Sequence, residues 1–346
     1  LFLKLNEERN KRVYLNLPSL VFFYPEGKMN LKQMYEFFVA DGIKNDPRGE
    51  KEVKILLDEK NKEYKSLDEK KKEFYDKDTL TNPYCDSRIL YGTGDEKIKS
   101  VMVGIDIEVP ELLLASQLKL SGKKIDLVLA HHPEGKAYAT FHNVINMQSE
   151  IINSHGVPIN IAESYVSSRA AEVGRSVSGQ NHQRVYDAAK LLDIPLMTAH
   201  TVADNNVVSY LQKKLDKLQP RYLKDIIAFL EDIPEYKYAK TYGNGPFILN
   251  GGDKSKCGKI FVDMTGGTEG PTELIEKLAN AGVGTIVGMH MSEKNYNNAV
   301  KHKINVIIAG HISSDNLGIN LMLDSLEKKY GSLDYIECSG FRRFRR

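Results

Sequence analysis

The sequence predicts an α/β fold of two similar, pseudo-symmetric lobes, each a mainly parallel sheet flanked by helices, facing each other across a cleft. Three observations predict it. From about residue 97, short β-branched runs alternate with helical segments, and strands separated by helices at this spacing form parallel sheets covered on both faces. The same alternation returns in the second half of the chain. Finally, Ala199-His200-Thr201-Val202-Ala203-Asp204-Asn205 matches Gly310-His311-Ile312-Ser313-Ser314-Asp315-Asn316, a His-x-x-x-Asp-Asn sequence that leaves a strand and enters a helix in each half. Internal duplication accounts for both repeats.

Residues 1–28 precede Met29 and read as an upstream extension with little fold of its own. Their apolar stretch 15–24 is short, contains Pro18 and lacks a small-residue cleavage site, which makes it a poor signal peptide. A helical, charged segment is expected over 29–96. Met29 opens an amphipathic helix, and residues 44–80 are dominated by Lys, Glu and Asp with few apolar positions, the pattern of exposed helix with same-face charge pairs.

The first lobe is expected over 97–215. Residues 100–106 read as a buried strand, Pro110 begins a helix, and the strand 126–130 runs into His131-His132-Pro133. A helix through 143–147 follows, and the strand 194–199 ends at His200. The stretch 160–190 between them carries Arg169, Arg175, His182 and Arg184. A connection over 216–255 leads to the second lobe, 256–346. There the strand 259–264 enters Thr265-Gly266-Gly267, and a helix spans 273–279. The strand 284–288 ends at Met289-His290, corresponding to the strand that carries His131-His132. A helix through 296–300, the strand 304–309, a helix over 317–329 and a last strand near 335–337 complete the pattern.

Composition narrows the function. With 48 Lys+Arg against 46 Asp+Glu, a formal +2, the chain lacks the excess expected of a protein that grips a polyanion. Nucleic acid is therefore a disfavoured partner, one that steep salt dependence of binding would revive. The tail Phe341-Arg342-Arg343-Phe344-Arg345-Arg346 reads as a solvated terminus. Cys85, Cys257 and Cys338 are far apart and form no C-x-x-C pair, so neither a disulfide framework nor a thiolate zinc site is expected, and a cytoplasmic compartment fits. No apolar run approaches the roughly 20 residues of a membrane helix.

Chemistry is expected at strand ends, where open α/β sheets gather ligands. Five of the nine histidines, His131, His132, His200, His290 and His311, directly follow an apolar strand, and Asp204 and Asp315 each lie four residues beyond one of them. A single strand-end histidine is ordinarily a core residue. Two in succession reach one cleft only if the strand is already turning, because side chains alternate, and Pro133 supplies the turn. Imidazole and carboxylate together suit zinc, manganese, iron, cobalt or nickel better than calcium. Carboxylates also bridge cation pairs ~3.5–4 Å apart in hydrolytic sites. Other motifs fail. Residues 251–260 have the wrong spacing for a phosphate-binding loop, and no Gly-x-Ser-x-Gly elbow occurs. Thr265-Gly266-Gly267 reads either as backbone N–H groups receiving an anion or as a plain turn.

Residues 97 to about 340 resemble the Nif-three-like dinuclear metal-centre family. The likeness rests on Ala130-His131-His132-Pro133, Ala199-His200-Thr201-Val202-Ala203-Asp204, Met264-Thr265-Gly266-Gly267 and Ala309-Gly310-His311-Ile312-Ser313-Ser314-Asp315. It implies two divalent metal ions per chain, in the cleft between the lobes, held by His131, His132, Asp204, His311 and Asp315, with Asp204 bridging. Asp315 stands where the family usually has glutamate. His200 is expected to orient a ligand rather than act as a catalytic group, and His290 either does likewise or is structural. The resemblance also implies a toroidal homohexamer. Some family members are described as type two GTP cyclohydrolase I, so a metal-dependent hydrolase acting on a nucleotide or phosphoester-type, anionic small molecule is expected. The alternative is a metal-binding regulatory or scaffold protein without significant turnover. Arg169, Arg175, His182 and Arg184 either reach over the cleft toward an anion or are surface residues.

Overall fold

The computed structural model describes residues 29–346; the upstream extension, with the stretch 15–24, lies outside the described residues. Helix α1 (Leu31–Lys44) begins at a reciprocal cap: Asn30 Oδ1 accepts from the Gln33 amide and Gln33 Oε1 accepts from the Asn30 amide. It buries Leu31, Met34 and Phe38. Helices α2 (Glu50–Ser66) and α3 (Glu69–Glu73) bury only Val53 between them, as surface helices should.

The first sheet uses β1 (Ile89–Tyr91), β2 (Ser100–Gly104), β3 (Leu127–Ala130) and β4 (Leu196–Thr198). Helix α4 (Val109–Leu120) follows β2. After β3 come α5 (Gly135–Ala139), α6 (Gln148–Ser154), α7 (Ile159–Ser178) and α8 (Gln183–Leu191), and after β4 comes α9 (Thr201–Leu218). The helix expected through 143–147 forms as a 3₁₀ segment, Phe141–Met147, leading into α6. Asn143 and Asn146 sit in it, and Asn146 bonds the Asn143 carbonyl, a local bond that competes with α-helix.

Helices α10 (Leu223–Glu231) and α11 (Pro234–Thr241) lead to β5 (Phe247–Asn250). Then come β6 (Lys259–Asp263), α12 (Glu273–Asn280), β7 (Val283–Gly288), α13 (Glu293–His302), β8 (Asn305–Ile308), α14 (His311–Tyr330) and β9 (Asp334–Glu337). The strand orders are β1-β4-β3-β2-β9 and β5-β8-β7-β6. In each sheet the first strand pairs antiparallel and the rest parallel. Adding four to each of β1 to β4 reproduces the second sheet, so the duplication read from the two His-x-x-x-Asp-Asn motifs is present in the topology. The last strand departs from that pattern: β9 crosses over and pairs with β2.

Both faces of each sheet are covered, as parallel sheets require. Val101, Val103, Leu127 and Leu129 share one core with Phe261, Ile286 and Val306, so a face of each sheet contributes to a common interior. Met102 and Val128 point the other way, against Leu112 and Ala115. Across this interior α9 crosses α14 so closely that a Cβ on Gly318 would lie 2.5 Å from the Ala203 carbonyl oxygen.

The tail read as solvated is in fact docked. Phe341 is fully buried, Arg343 Nη2 lies 2.6 Å from Asp324 and 2.9 Å from Glu327, and Arg346 pairs with the buried Glu235. The buried carboxylates of α11 and α14 require counter-charge, and the tail supplies it. Removing one partner of such a pair strands the other, so Arg343→Ala is expected to cost about 3 kcal/mol, visible as a lower urea midpoint. An unchanged midpoint would mean that water replaces the guanidinium. No helix among the described residues is long and apolar enough to cross a membrane.

Candidate metal centre

The ladder continues past the end of β3: the amides of His131 and His132 donate to the carbonyls of Gly104 and Ile105, both at 3.0 Å. The chain then turns at Pro133, and the two imidazoles lie 5.2 Å apart, centroid to centroid. His200, at the end of β4, places its ring 4.9 Å from that of His131. Each of these rings is anchored by Nδ1. His131 Nδ1 bonds the Ala199 carbonyl at 3.1 Å, His132 Nδ1 bonds Asp106 at 2.6 Å and His200 Nδ1 bonds Asp86 at 2.8 Å. All three partners are acceptors, so each ring in its neutral form carries its proton on Nδ1 and turns Nε2 inward.

The carboxylates come from the N-terminal ends of α9 and α14. His200 and Asp204, and likewise His311 and Asp315, are four residues apart and share a helix face. Gly310, at φ +110°, makes the sharp turn from β8 into α14 that delivers His311. His131 Nε2 lies 3.5 Å from Asp204 Oδ1 and 3.4 Å from Asp315 Oδ1. His132 Nε2 is 3.5 Å and His311 Nε2 3.6 Å from Asp315 Oδ2, and His200 Nε2 is 3.8 Å from Asp204 Oδ2.

These separations are too long for good hydrogen bonds. They match ~3.4 Å, the edge of a tetrahedron whose ligands stand ~2.1 Å from its centre. His131 Nε2, Asp204 Oδ1 and both Asp315 oxygens are buried with no hydrogen-bond partner. Native interiors rarely leave such atoms unsatisfied, and here four face one another, so the residues present fit a cation. Three sets could hold an ion: His131, His132 and His200; His132, His311 and Asp315; and His131, Asp204 and Asp315. Asp315 belongs to two of them and Asp204 to one.

The protonation pattern fits the same picture. Burial, then the charges of Asp315 and Asp86, push the Asp204 carboxyl well above its ordinary value. Burial acts on Asp315 too, but the surrounding imidazoles of His131, His132 and His311 outweigh it and hold the carboxyl low. Burial lowers His131 and His311. It opposes the charged form of His132 as well, yet Asp315 and Asp106 lift that ring to about 9.

Sequence reasoning did not find Asp86 or Asp106. Asp86 is fully buried and also accepts from Thr201 at 2.6 Å. It arrives from the segment before β1, where no periodicity marks it. Asp106 lies just past β2, so the strand-end rule that singled out the histidines could have found it. His290 packs its ring 5.0 Å from His311. Arg169 pairs with Glu172 at 3.0 Å, and its Nε donates to the Glu269 carbonyl at 3.4 Å. His182 bonds the Val177 carbonyl. In Thr265-Gly266-Gly267 both glycines have positive φ, and a Cβ on Gly267 would lie 2.8 Å from Val144, so close packing explains the turn.

A cavity of about 100 Å³ opens beside the cluster, with His200, Asp204, His311 and Asp315 at one end. Two α/β lobes with a buried histidine–aspartate cluster between their strand ends define a protein built around a metal-competent cleft. No family model and no curated protein matches the chain. Solved structures do. A NIF3 superfamily protein from Sphaerobacter thermophilus is 29% identical over 74% of this chain and 91% of its own, with a TM-score of 0.64. Reduced HcgD from Methanocaldococcus jannaschii, at 15% identity over 73% and 88%, and hypothetical protein SA1388 from Staphylococcus aureus, at 13% over 73% and 88%, align more loosely, with TM-scores of 0.45 and 0.41. The chain shares the fold of the NIF3 superfamily and is similar in sequence to that member of it from Sphaerobacter thermophilus.

Proposed function

We propose that this chain is a dinuclear metal-dependent hydrolase. The observation that carries the reading is the convergence of four buried, unpartnered donor atoms on one space. His131, His132, Asp204, His311 and Asp315 would hold two divalent ions. Because Asp315 is common to two of the candidate sets, it is the better choice for the shared carboxylate, ahead of Asp204. His200, with Nε2 free and Nδ1 held by Asp86, is disposed to bind directly rather than only to orient a ligand. When bound, such ions acidify water and polarise a phosphoryl or ring-carbon acceptor.

The chain's own residues supply the rest. Asp86, Asp106 and the Ala199 carbonyl fix the imidazole tautomers, and the cavity wall places a substrate beside the cluster. A nucleotide or phosphoester-type substrate, and assembly into a toroidal hexamer, belong to this proposal through the family resemblance.

The test is elemental analysis of untreated protein, paired with hydrolysis of a nucleotide and phosphoester panel before and after chelation. About two metals per chain, with turnover lost on chelation and restored by metal, is the expected result. Equal metal content in the parent and in Asp315→Ala would remove the proposed centre. Metal without turnover on the panel would move weight to a regulatory or scaffold role.

A further inference from the structure

The far end of the cavity has a chemistry of its own. Gln148 and Asn295, 4% and 5% exposed, line it. The Gln148 Nε2 donates to the carbonyls of Gly266 and Thr268, at 2.9 and 2.6 Å, and the Asn295 Nδ2 donates to the Gly270 carbonyl at 3.3 Å. Those bonds fix which end of each amide is nitrogen. They leave Gln148 Oε1 and Asn295 Oδ1 buried with no partner.

Both oxygens gather at the turn that carries Glu269 and Gly270; a Cβ on Gly270 would lie 3.2 Å from Gln148 Oε1. Glu269 lines the same wall, and among the described residues its carboxylate accepts from the Ser292 amide alone. Asp263, at the end of β6, lines it too and has no hydrogen-bond or ion-pair partner among the described residues. Burial, then the nearby Glu269, raise its carboxyl to about 7. Among the described residues no lysine or arginine lines the cavity, and Phe261, Ile275 and Ile286 add apolar surface to it.

We propose that this end of the cavity recognises a flat, apolar group bearing an N–H-rich, amidine-type head, which donates to Asp263, Gln148 Oε1 and Asn295 Oδ1. The inference rests on reading the cleft as a substrate site and specifies the class of molecule it takes: N–H donors at one end, the reacting group at the cluster. The carboxylates of Asp263 and Glu269 and the two unpaired amide oxygens oppose a carboxylate or phosphate there, because like charges and unpaired acceptors both disfavour it. Any anionic part of the substrate is thereby confined to the cluster end.

The test uses the full chain, chelated and metal-loaded, with benzamidine and benzoate as matched probes in calorimetric titrations. Benzamidine is expected to bind both forms and benzoate not to bind the chelated one. Asp263→Asn should weaken benzamidine at least about tenfold, the scale of one charged hydrogen bond, and Asn295→Leu should weaken it independently. Failure of benzamidine to bind, equal binding of the two probes by the chelated protein, or benzamidine affinity unchanged in both variants would overturn the proposal. Because the chelated form is tested, benzamidine binding by a protein that carries no metal when purified would sink the hydrolase reading and leave this one standing.

Discussion

Replacing Asp204 with asparagine is expected to strip the protein of tightly bound metal while raising the melting temperature of the chelated form by a few degrees. The two effects have opposite signs because Asp204 is poorly placed for anything except a cation. It is 4% exposed, its Oδ1 has no hydrogen-bond partner, and Asp315 and Asp86 both lie close enough to oppose its charge. Its carboxyl is raised in the folded chain, so folded protein holds that proton more tightly than unfolded protein does. Ionisation therefore removes stability as pH climbs above about 4, the unfolded value. Asparagine has the same shape and no charge, and should return about 1–2 kcal/mol at neutral pH.

The gain should shrink toward pH 4 and vanish below it, where the aspartate is protonated in both states. In the loaded protein the order reverses, since a ligand that binds only the folded state stabilises it by its binding free energy. Thermal unfolding of parent and variant in excess chelator, at neutral and acid pH, with metal content by elemental analysis, decides the matter. A chelated Asp204→Asn variant less stable than the parent would mean that the carboxylate is structural and the cluster was misread.

The elements that proved legible in the sequence are those whose signal is local. The strands β2, β3, β7 and β8 are apolar runs of a few residues bounded by turn chemistry, and the histidines stand where such runs stop. Proximity across the sheet was legible only through the repeat: two His-x-x-x-Asp-Asn motifs in equivalent places imply that their strand ends face one another. What stayed hidden depends on contacts between distant segments. Asp86 reaches His200 across 114 positions. Asp106 supports His132 with no motif of its own. Gln148 and Asn295 look like ordinary polar helix residues until the fold ties up their amide nitrogens. β9 follows the second lobe in the chain yet pairs with β2, a choice set by the open edge of the first sheet rather than by anything in residues 334–337. The arginine-rich tail misled because composition alone favours solvent, whereas the carboxylates that hold it lie on α11 and α14.

Gly318→Ala is expected to cost about 3 kcal/mol and to weaken metal binding on the order of 10–100-fold, although residue 318 is not itself a ligand. The new Cβ would lie 2.5 Å from the Ala203 carbonyl oxygen and 2.9 Å from its carbon. These are backbone atoms of a helix interior and have no rotamer by which to yield. Relief requires α14 to move away from α9 by roughly the shortfall from ordinary contact, about 1 Å. Asp204 follows Ala203 in α9, and Asp315 precedes Gly318 by one turn in α14, so that shift moves the two carboxylates apart.

His131 Nε2 now stands 3.5 Å from one carboxylate and 3.4 Å from the other. It could not keep both within the ~0.2 Å tolerance of a metal–ligand bond. The comparison that separates geometry from general destabilisation is Arg343→Ala, whose cost is similar but whose ion pairs lie with Asp324 and Glu327, beyond the crossing in α14. Urea unfolding and competition with a chromophoric zinc chelator should show both variants destabilised and only Gly318→Ala weakened toward metal. Loss of affinity in both, or in neither, would mean that the close crossing of α9 and α14 does not set the spacing of the donors.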